Sequence, residues 1–191
     1  KPDAEIFKET TEFDFEILKT RLREQAFLNA GIHIQISDER DPDNIICENF
    51  CYEGGISSFV EYLNKKKAVE LVHPDIIHFT TVADDDQATA EVAMQYNDSY
   101  NELILSFANN IHTTDGGTHE EGFKRSLTRV MNDYARKYNL LKDSDKNLTG
   151  DDVREGLTVV ISIKVKDAQF EGQTKAKLGN TEISGLVSNM M

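Results

Sequence analysis

The stretch from Leu157 to Val165 carries an almost unbroken series of valine and isoleucine side chains, and it constrains the fold more than any other segment. β-Branched residues favour extended backbone. A strand that is apolar on both of its sides is typical of the middle of a sheet that is covered on both faces. We therefore predict a central strand at residues 157–165, within a layered domain of helices and sheet.

Helix-like and strand-like patterns alternate along the rest of the chain. Apolar residues recur every three to four positions in the predicted helices and at alternate positions in the predicted strands. This order describes an α/β (α+β) domain in which helices pack on a mixed β-sheet. The other predicted strands are Ile6–Glu9, His33–Ser37, Ile46–Tyr52, Ile76–Val82, Thr89–Tyr96 and Glu102–Asn109; the predicted helices run from Thr11 or Asp14 to Asn29, from Ile56 to Lys66, from Thr118 to Tyr138, briefly after Gly150, and onward from Thr181.

The length of 191 residues suits one domain with a core of its own. No apolar run approaches the ~18 residues of a membrane-spanning helix, and the start shows no signal-peptide pattern. Because the sequence opens at Lys1 without an initiator methionine and stops at Met191 within a predicted helix, we expect a piece of a longer chain. Cys47 and Cys51 are predicted to be reduced thiols, since no second cysteine pair completes a zinc site.

The formal net charge of −13 argues against a chain whose whole surface binds nucleic acid. The segment from Ile111 to Lys142 departs from this average, with six cations and four anions. Thr118 and Glu121 have the spacing of a helix capping box, and the helix that follows has an apolar stripe with its arginines largely off that stripe. This pattern indicates a locally basic face. The stripe comprises Phe123, Leu127, Val130, Met131 and Tyr134, and the arginines are Arg125, Arg129 and Arg136.

A polar loop at Phe170–Lys175 lies between the predicted central strand and the final helix. Gln173, Thr174 and Lys175 bring together one amide, one hydroxyl and one ammonium group, and Gly172 permits a backbone conformation that other residues avoid. An amide donor and a lysine charge suit a phosphate or a carboxylate. Taken alone, the loop is better explained as an ordinary strand-to-helix connection with a solvated lysine, because short motifs often occur by chance.

No pattern in the sequence indicates a self-contained active site or a metal site. The P-loop motif is absent, and the segment from His119 to Glu121 lacks the spacing of a zinc-binding His-Glu-x-x-His motif. The serines lack the Gly-x-Ser-x-Gly context of a nucleophile elbow. The three aspartates at positions 84–86 do not have EF-hand spacing, and we predict a solvated turn there.

Five segments stand in a fixed order along the chain: Tyr52–Ile56, Asp115–Phe123, Thr128–Ala135, Gly150–Leu157 and Gln173–Lys175. In this order they closely resemble the transducer domain found in the B subunits of the bacterial type IIA DNA topoisomerases, DNA gyrase and topoisomerase IV. The resemblance covers essentially the whole chain. The amino-acid sequences of residues 95–98 and 120–124 are more similar to gyrase than to topoisomerase IV.

The resemblance implies a fold and a function. The fold is the ribosomal protein S5 domain 2-like fold with its left-handed βαβ crossover, over residues 1–191 as a single transducer domain. Residues 1–30 are then a lead-in strand and helix, and residues 181–191 are the start of the C-terminal helix. The implied function is to couple ATP binding and hydrolysis in a preceding GHKL ATPase domain to DNA gate movements and negative supercoiling by the parent isomerase. The alternatives are decatenation, as in topoisomerase IV, and a free-standing S5-like module that binds nucleic acid or protein.

The resemblance also assigns roles to the Gln-Thr-Lys loop. In the family, the lysine and the glutamine of this loop reach the γ-phosphate of ATP across a domain boundary. This implies that Lys175 is catalytic and that Gln173 and Lys175 bind the γ-phosphate. The catalytic glutamate and the Mg²⁺-binding asparagine belong to the ATPase domain. We therefore expect ATP and Mg²⁺ in the parent protein, with Mg²⁺ bound outside this chain, and neither a cofactor nor ATP hydrolysis in the chain alone.

Double-stranded DNA is the second ligand that the resemblance implies. In the family, a basic residue of the long helix faces the cavity that holds the transported duplex. The matching residue is Lys124, with Arg125 and Arg129 as neighbouring candidates, and ordinary solvated surface cations are the alternative. The further implied partners are the A subunit of gyrase, in an A₂B₂ heterotetramer, and a second B subunit in ATP-driven dimerisation. The implied location is the cytoplasm, without a membrane partner.

Overall fold

A computed structural model describes residues 2–84 and 87–191 of the chain. The chain divides into two compact units, Lys1–Ser58 and Phe59–Met191. The boundary between them falls within helix α2, which spans Gly55–Lys67. Of the predicted acidic turn at positions 84–86, the last two residues lie outside the described part of the chain.

The first unit contains a helix and a two-stranded antiparallel hairpin. Helix α1 spans Phe15–Leu28, and the strands are β1 (Ile34–Asp38) and β2 (Ile46–Phe50). Of the two candidate helix caps, Asp14 is the one used, because its carboxylate accepts a hydrogen bond of 3.0 Å from the backbone of Ile17. Unpaired N–H groups at a helix start are commonly satisfied in this way.

The strand predicted at residues 6–9 is wrong. The segment from Asp3 to Phe7 forms a local turn instead, in which the backbone N–H groups of Ile6 and Phe7 both donate to the carbonyl of Asp3. The carboxylate of Asp3 also accepts from the backbone of Glu5 at 2.9 Å. Short polar side chains that bond to nearby backbone compete with extended structure in this manner.

A five-stranded mixed sheet forms the centre of the second unit, in the strand order β3-β4-β7-β5-β6. Strand β7 pairs antiparallel with β4 and parallel with β5. It is therefore an interior strand, and its residues from Leu157 to Ile163 are all buried, as its apolar composition predicts. The predicted α+β class with a mixed sheet is confirmed. The strands are β3 (Ile77–Val82), β4 (Ala88–Tyr96), β5 (Leu103–Ala108), β6 (Ile111–His112) and β7 (Leu157–Val165).

Residues 59–67 of α2, three further helices and a small hairpin complete the second unit. Helix α3 spans Thr118–Lys137, α4 spans Gly150–Arg154 and α5 spans Thr181–Met190, while the hairpin strands are β8 (Phe170–Glu171) and β9 (Lys177–Leu178). The buried cluster joins side chains of the sheet, such as Val159 and Ile161, to Phe123 of α3 and Ile183 of α5. Helices α3 and α5 approach closely at Gly122, where an added Cβ would lie 2.7 Å from the carbonyl oxygen of Ser184.

Two predictions about α3 are wrong. The helix begins at Thr118 as expected, but its cap is Gly117, which offers no side chain, and Thr118 and Glu121 form no capping box. A capping box is present at Thr149 and Asp152, at the start of α4. The predicted apolar stripe also departs from the buried face, because Tyr134 is 55% exposed.

The physical reason for this departure is a polar contact. The side-chain amide of Asn132 receives a hydrogen bond from the backbone of Leu148 and donates one back to it, at 2.8 and 3.0 Å. The segment that connects α3 to α4 is thereby fixed against the Asn132 face of α3. This leaves Met131 and Tyr134, on the neighbouring face, partly open to solvent.

Candidate functional site

The Gln173–Lys175 segment forms the tip of the β8–β9 hairpin. Glu171 pairs with Lys177 and Phe170 pairs with Leu178, so the segment is closed into a tight loop and is more than the plain strand-to-helix connection that the sequence suggests. Gly172 adopts a φ of 78°, in the left-handed region that glycine tolerates best. The two-residue strands are too short to give a periodic signal, which explains why sequence analysis missed them.

The side chains at the tip are presented to solvent. Gln173, Thr174 and Lys175 are all exposed, and within residues 2–84 and 87–191 neither Gln173 nor Thr174 makes a side-chain hydrogen bond. The ammonium of Lys175 lies 5.8 Å from the centre of the Phe170 ring and is paired with no carboxylate of the described residues. Lys177, two positions along, is by contrast paired with Glu171 at 3.2 Å.

The base of the hairpin is joined to the segment that precedes α3. The backbone N–H of Asp115 donates to the carbonyl of Ala176 at 2.9 Å, and that of Leu178 donates to the carbonyl of Gly116 at 3.2 Å. Gly117 forms a bridge with Leu178. At Gly117, φ is 139°, and an added Cβ would lie 2.6 Å from the backbone nitrogen of Leu178. Only glycine fits a backbone approach this close, which gives Gly117 a physical purpose that the sequence alone did not reveal.

A buried polar cluster lies directly behind this junction. The hydroxyl of Thr113 is 2.8 Å from that of Ser106, 2.9 Å from the carbonyl of Ser106 and 3.0 Å from Nε2 of His119. The hydroxyl of Ser106 also lies 3.0 Å from a carboxylate oxygen of Glu120. Sequence analysis did not single out Thr113 or Ser106, because isolated hydroxyl residues carry no distinctive spacing.

The imidazole of His119 is fully buried, with 0% of its surface exposed. Burial lowers the pKa of His119 from 6.5 to about 4, and the nearby carboxylate of Glu120 offsets this only in part. The imidazole is therefore neutral at physiological pH. Its second nitrogen, Nδ1, has no hydrogen-bond partner among the described residues. The neutral ring thus serves the packing and hydrogen bonding of the helix start.

The three candidate DNA-contacting cations on α3 differ in their surroundings. Lys124 lies 2.7 Å from Glu120 and 3.8 Å from Glu102, so its charge is largely compensated. Arg125 and Arg129 are exposed, and neither has an ion pair with a carboxylate in the described part of the chain. The i,i+4 spacing of Glu120 and Lys124 is a signal from which their pairing could have been predicted.

The remaining candidate groups form no metal site among the described residues. Cys47 and Cys51 are free thiols. Hydrogen bonds from Ser37 and Gln35 lower the pKa of the Cys47 thiol. In residues 2–84 and 87–191, no three His, Cys, Asp or Glu side chains come together in a way that suits a metal ion. Every helix of these residues is too short or too polar to cross a membrane.

Comparison with protein families gives a match over most of the chain. The family model for DNA gyrase B matches residues 55–191. The chain is 56% identical to the DNA gyrase B subunit of Clostridium acetobutylicum, over 100% of this chain and 29% of the relative. It is 59% identical to the DNA gyrase B subunit of Enterococcus faecalis, over 95% of this chain and 28% of the relative. The chain thus spans less than a third of the length of these curated relatives.

Solved structures agree with the sequence relatives. The 43K ATPase domain of Thermus thermophilus gyrase B, in complex with an aminocoumarin, matches with a TM-score of 0.82 at 36% identity, over 100% of this chain and 49% of that chain. The B-subunit of DNA gyrase from Myxococcus xanthus matches with a TM-score of 0.80 at 23% identity, over 98% of this chain and 57% of that chain, and supports the fold alone. The chain belongs to the DNA gyrase B family and corresponds to the transducer region of that family.

Proposed function

We propose that this chain senses the γ-phosphate of ATP through Lys175 and Gln173 and passes that signal to the rest of a DNA gyrase. The observation that carries the proposal is the Lys175 ammonium, which is exposed and without a carboxylate partner among the described residues, on a hairpin whose base is fixed by backbone hydrogen bonds. A cation that is held in place but not neutralised is suited to bind an incoming phosphate.

The chemistry of phosphoryl transfer explains why such a lysine matters. Negative charge spreads over the γ-phosphate oxygens in the transition state, and a positioned cation stabilises it. In our proposal Lys175 is catalytic in this sense and Gln173 adds an amide donor to the same phosphate. ADP lacks this phosphate, so the contact distinguishes the two nucleotides and biases the arrangement of domains.

The proposal extends to the parent protein. A preceding GHKL ATPase domain binds ATP and Mg²⁺, with the metal held outside this chain, and the chain alone hydrolyses no ATP. The parent is a cytoplasmic, ATP-dependent type IIA topoisomerase that introduces negative supercoils. It assembles with the A subunit of gyrase as an A₂B₂ heterotetramer, and its two B subunits dimerise when ATP binds. Decatenation in the manner of topoisomerase IV is the second candidate activity, and no observation on this chain favours it.

Two finer points of the fold belong to the same proposal. The connection from β5 to β7, which contains β6, α3 and α4, joins two parallel strands, and we assign it the left-handed crossover of the S5 domain 2-like fold. Residues 1–191 act together as one transducer domain. Calorimetry of the chain tests the latter point, since a single cooperative unfolding transition supports it and two separate transitions, one for each compact unit, contradict it.

DNA is the proposed second ligand, bound through phosphate contacts on α3. Arg125 and Arg129 are exposed without carboxylate partners in the described residues, so their charges are free to replace the counterions of a duplex. The charge of Lys124 is compensated by ion pairs with Glu120 and Glu102. Among the three candidates, we therefore assign the larger electrostatic contribution to the two arginines.

The proposal for Lys175 is tested in a full-length gyrase B that carries this chain. We expect Lys175→Ala to lower the rate of ATP turnover by about a hundredfold or more, on the scale of a lost oxyanion donor. Lys177→Ala is the matched control, because it removes the same charge from the same hairpin at a residue that is already paired with Glu171. Near-normal turnover in Lys175→Ala, or an equal loss in Lys177→Ala, would contradict the assignment.

A further inference from the structure

The tip of the β8–β9 hairpin has few contacts that fix its position. The backbone N–H of Lys175 donates to the carbonyl of Gly172 at 3.4 Å, within the tip itself. Gln173 and Thr174 are exposed, and an added Cβ at Gly172 would meet nothing within 4 Å. The direction in which the tip points is therefore decided where the hairpin meets the rest of the unit.

That junction depends on Thr113. The backbone carbonyl of Thr113 accepts a hydrogen bond of 2.9 Å from Gly116, and its backbone N–H donates to the carbonyl of Ser106, also at 2.9 Å. Gly116 in turn accepts from the backbone of Leu178, at the base of the hairpin. A continuous chain of hydrogen bonds thus runs from strand β5 through Thr113 to strand β9.

The proton count in the buried cluster defines the state of His119. The hydroxyl of Thr113 has one proton, and we assign it to a hydrogen bond donated to the carbonyl oxygen of Ser106, 2.9 Å away, since that oxygen can only accept. Nε2 of His119 then carries a proton and donates to the Thr113 hydroxyl oxygen over 3.0 Å. This tautomer leaves Nδ1 as a bare acceptor, which agrees with its lack of a partner in the described residues. A buried acceptor without a partner is tolerated better than a buried N–H without one.

We propose that Thr113 and His119 are positioning residues for the Gln173–Lys175 loop: they fix the Asp115–Gly117 segment, and this segment fixes the base of the hairpin. The inference rests on the proposed phosphate-sensing function for its purpose. Its structural content is that the hydroxyl of Thr113, through its bonds to the Ser106 carbonyl and to Nε2 of His119, holds in place the Thr113 backbone that bonds Gly116. His119 is held at 0% exposure in the first turn of α3, directly beside that segment.

The test compares Thr113→Val with Thr113→Ser. Valine keeps the β-branched shape but removes the hydroxyl, while serine keeps the hydroxyl and loses a methyl group. Amide hydrogen exchange is measured on the chain at Leu178, whose N–H donates to Gly116, and on the amides of strand β7, which report opening of the sheet. We expect Thr113→Val to speed exchange at Leu178 by at least about tenfold more than in β7, and Thr113→Ser to stay within about threefold of the original chain.

A second matched pair covers the case in which Thr113→Val does not fold. His119→Gln retains an N–H donor at a similar distance from the backbone, whereas His119→Leu removes it, and the same exchange difference is expected between them. Equal exchange at Leu178 and β7 in the folded variant that lacks the hydrogen bond overturns the inference. So does the same local acceleration in Thr113→Ser.

Turnover of ATP in the full-length gyrase B separates this inference from the function on which it rests. If Lys175 acts on the γ-phosphate, we expect Thr113→Val to lower ATP turnover and Thr113→Ser to leave it close to that of the original protein. A normal turnover in Lys175→Ala together with faster Leu178 exchange in Thr113→Val would reject the proposed function and leave the positioning role intact. Loss of turnover in Lys175→Ala with unchanged exchange in Thr113→Val would do the opposite.

Discussion

The tip and the base of the β8–β9 hairpin differ in how they use their polar groups. At the tip, Gln173 and Lys175 are exposed and have no carboxylate partner among the described residues. At the base, the hydroxyls of Ser106 and Thr113, the carboxylate of Glu120 and the imidazole of His119 are bonded to one another and mostly buried. The groups available to a ligand are therefore separate from the groups that place them, so the two can be altered independently.

The largest expected effect comes from adding a side chain at Gly117, where the backbone of Leu178 is in close contact. We expect Gly117→Ala to lower the free energy of unfolding by about 4 kcal/mol, because the new Cβ meets the backbone of Leu178 and φ is 139°. Gly172→Ala is the matched control at the tip, where φ is 78° but nothing lies within 4 Å. It should cost only about 1 kcal/mol. Urea titration measures both, and equal losses would erase the distinction between tip and base.

The next effect is a dependence of stability on pH that arises from His119. Because its pKa is about 4 in the folded chain and 6.5 in the unfolded chain, the unfolded state binds the proton more readily between these values. The contribution is fully present above pH 6.5 and is lost as the pH falls to about 4, by about 3 kcal/mol in total.

This pH dependence is measured by difference. The free energy of unfolding of the original chain is compared with that of His119→Gln across the range from pH 7 to pH 4, so that the carboxylates common to both chains cancel. As the pH falls, the free energy of unfolding of the original chain should decrease more than that of His119→Gln. Parallel curves would mean that the pKa of His119 is the same in the folded and unfolded chains. The base would then be exposed to water like the tip, and the contrast between them would fail.

The smallest expected effect concerns DNA binding by the cations of α3. It tests whether the ion pairs of Lys124 reduce its contribution to the binding of DNA. In the full-length gyrase B, Arg125→Ala or Arg129→Ala should each reduce the slope of log affinity for DNA against log salt by about 0.9. Lys124→Ala should reduce it by less, because Glu120 and Glu102 already compensate its charge. Binding measured at several salt concentrations decides this, and a larger change for Lys124→Ala would show that DNA displaces its carboxylate partners.

Much of the secondary structure could be predicted because its signals are local. The valine and isoleucine content of residues 157–165 predicted an interior strand, and β7 is one. Asp14, one of two predicted caps, starts α1. Gly172 permits a backbone conformation that other residues avoid, and its φ is 78°. In each case a side chain, or its absence, acts on backbone within a few positions.

The strand predicted at residues 6–9 failed for a local reason, because Asp3 bonds to the backbone of the residues that follow it. The two failures on α3 share a different cause, since each involves contacts between distant segments. Thr118 and Glu121 have the spacing of a capping box, but Leu178 lies against Gly117 and the helix is capped without a side chain. Tyr134 has helical spacing with Phe123, but the Asn132–Leu148 hydrogen bonds select a different face for burial. Spacing along one segment does not indicate which partner it will meet.

The class of the fold, the place of its central strand and the polar loop that offers Lys175 can all be read from the amino-acid sequence alone. They follow from backbone preferences and from the burial of apolar side chains, which act one segment at a time. The packed structure was needed to learn that the Gly116-Gly117 pair lies against Leu178, that Lys124 is shared by two carboxylates and that a neutral His119 lies behind the hairpin. These contacts depend on residues far apart in the chain, which come within hydrogen-bond distance only after the sheet and its helices have packed together.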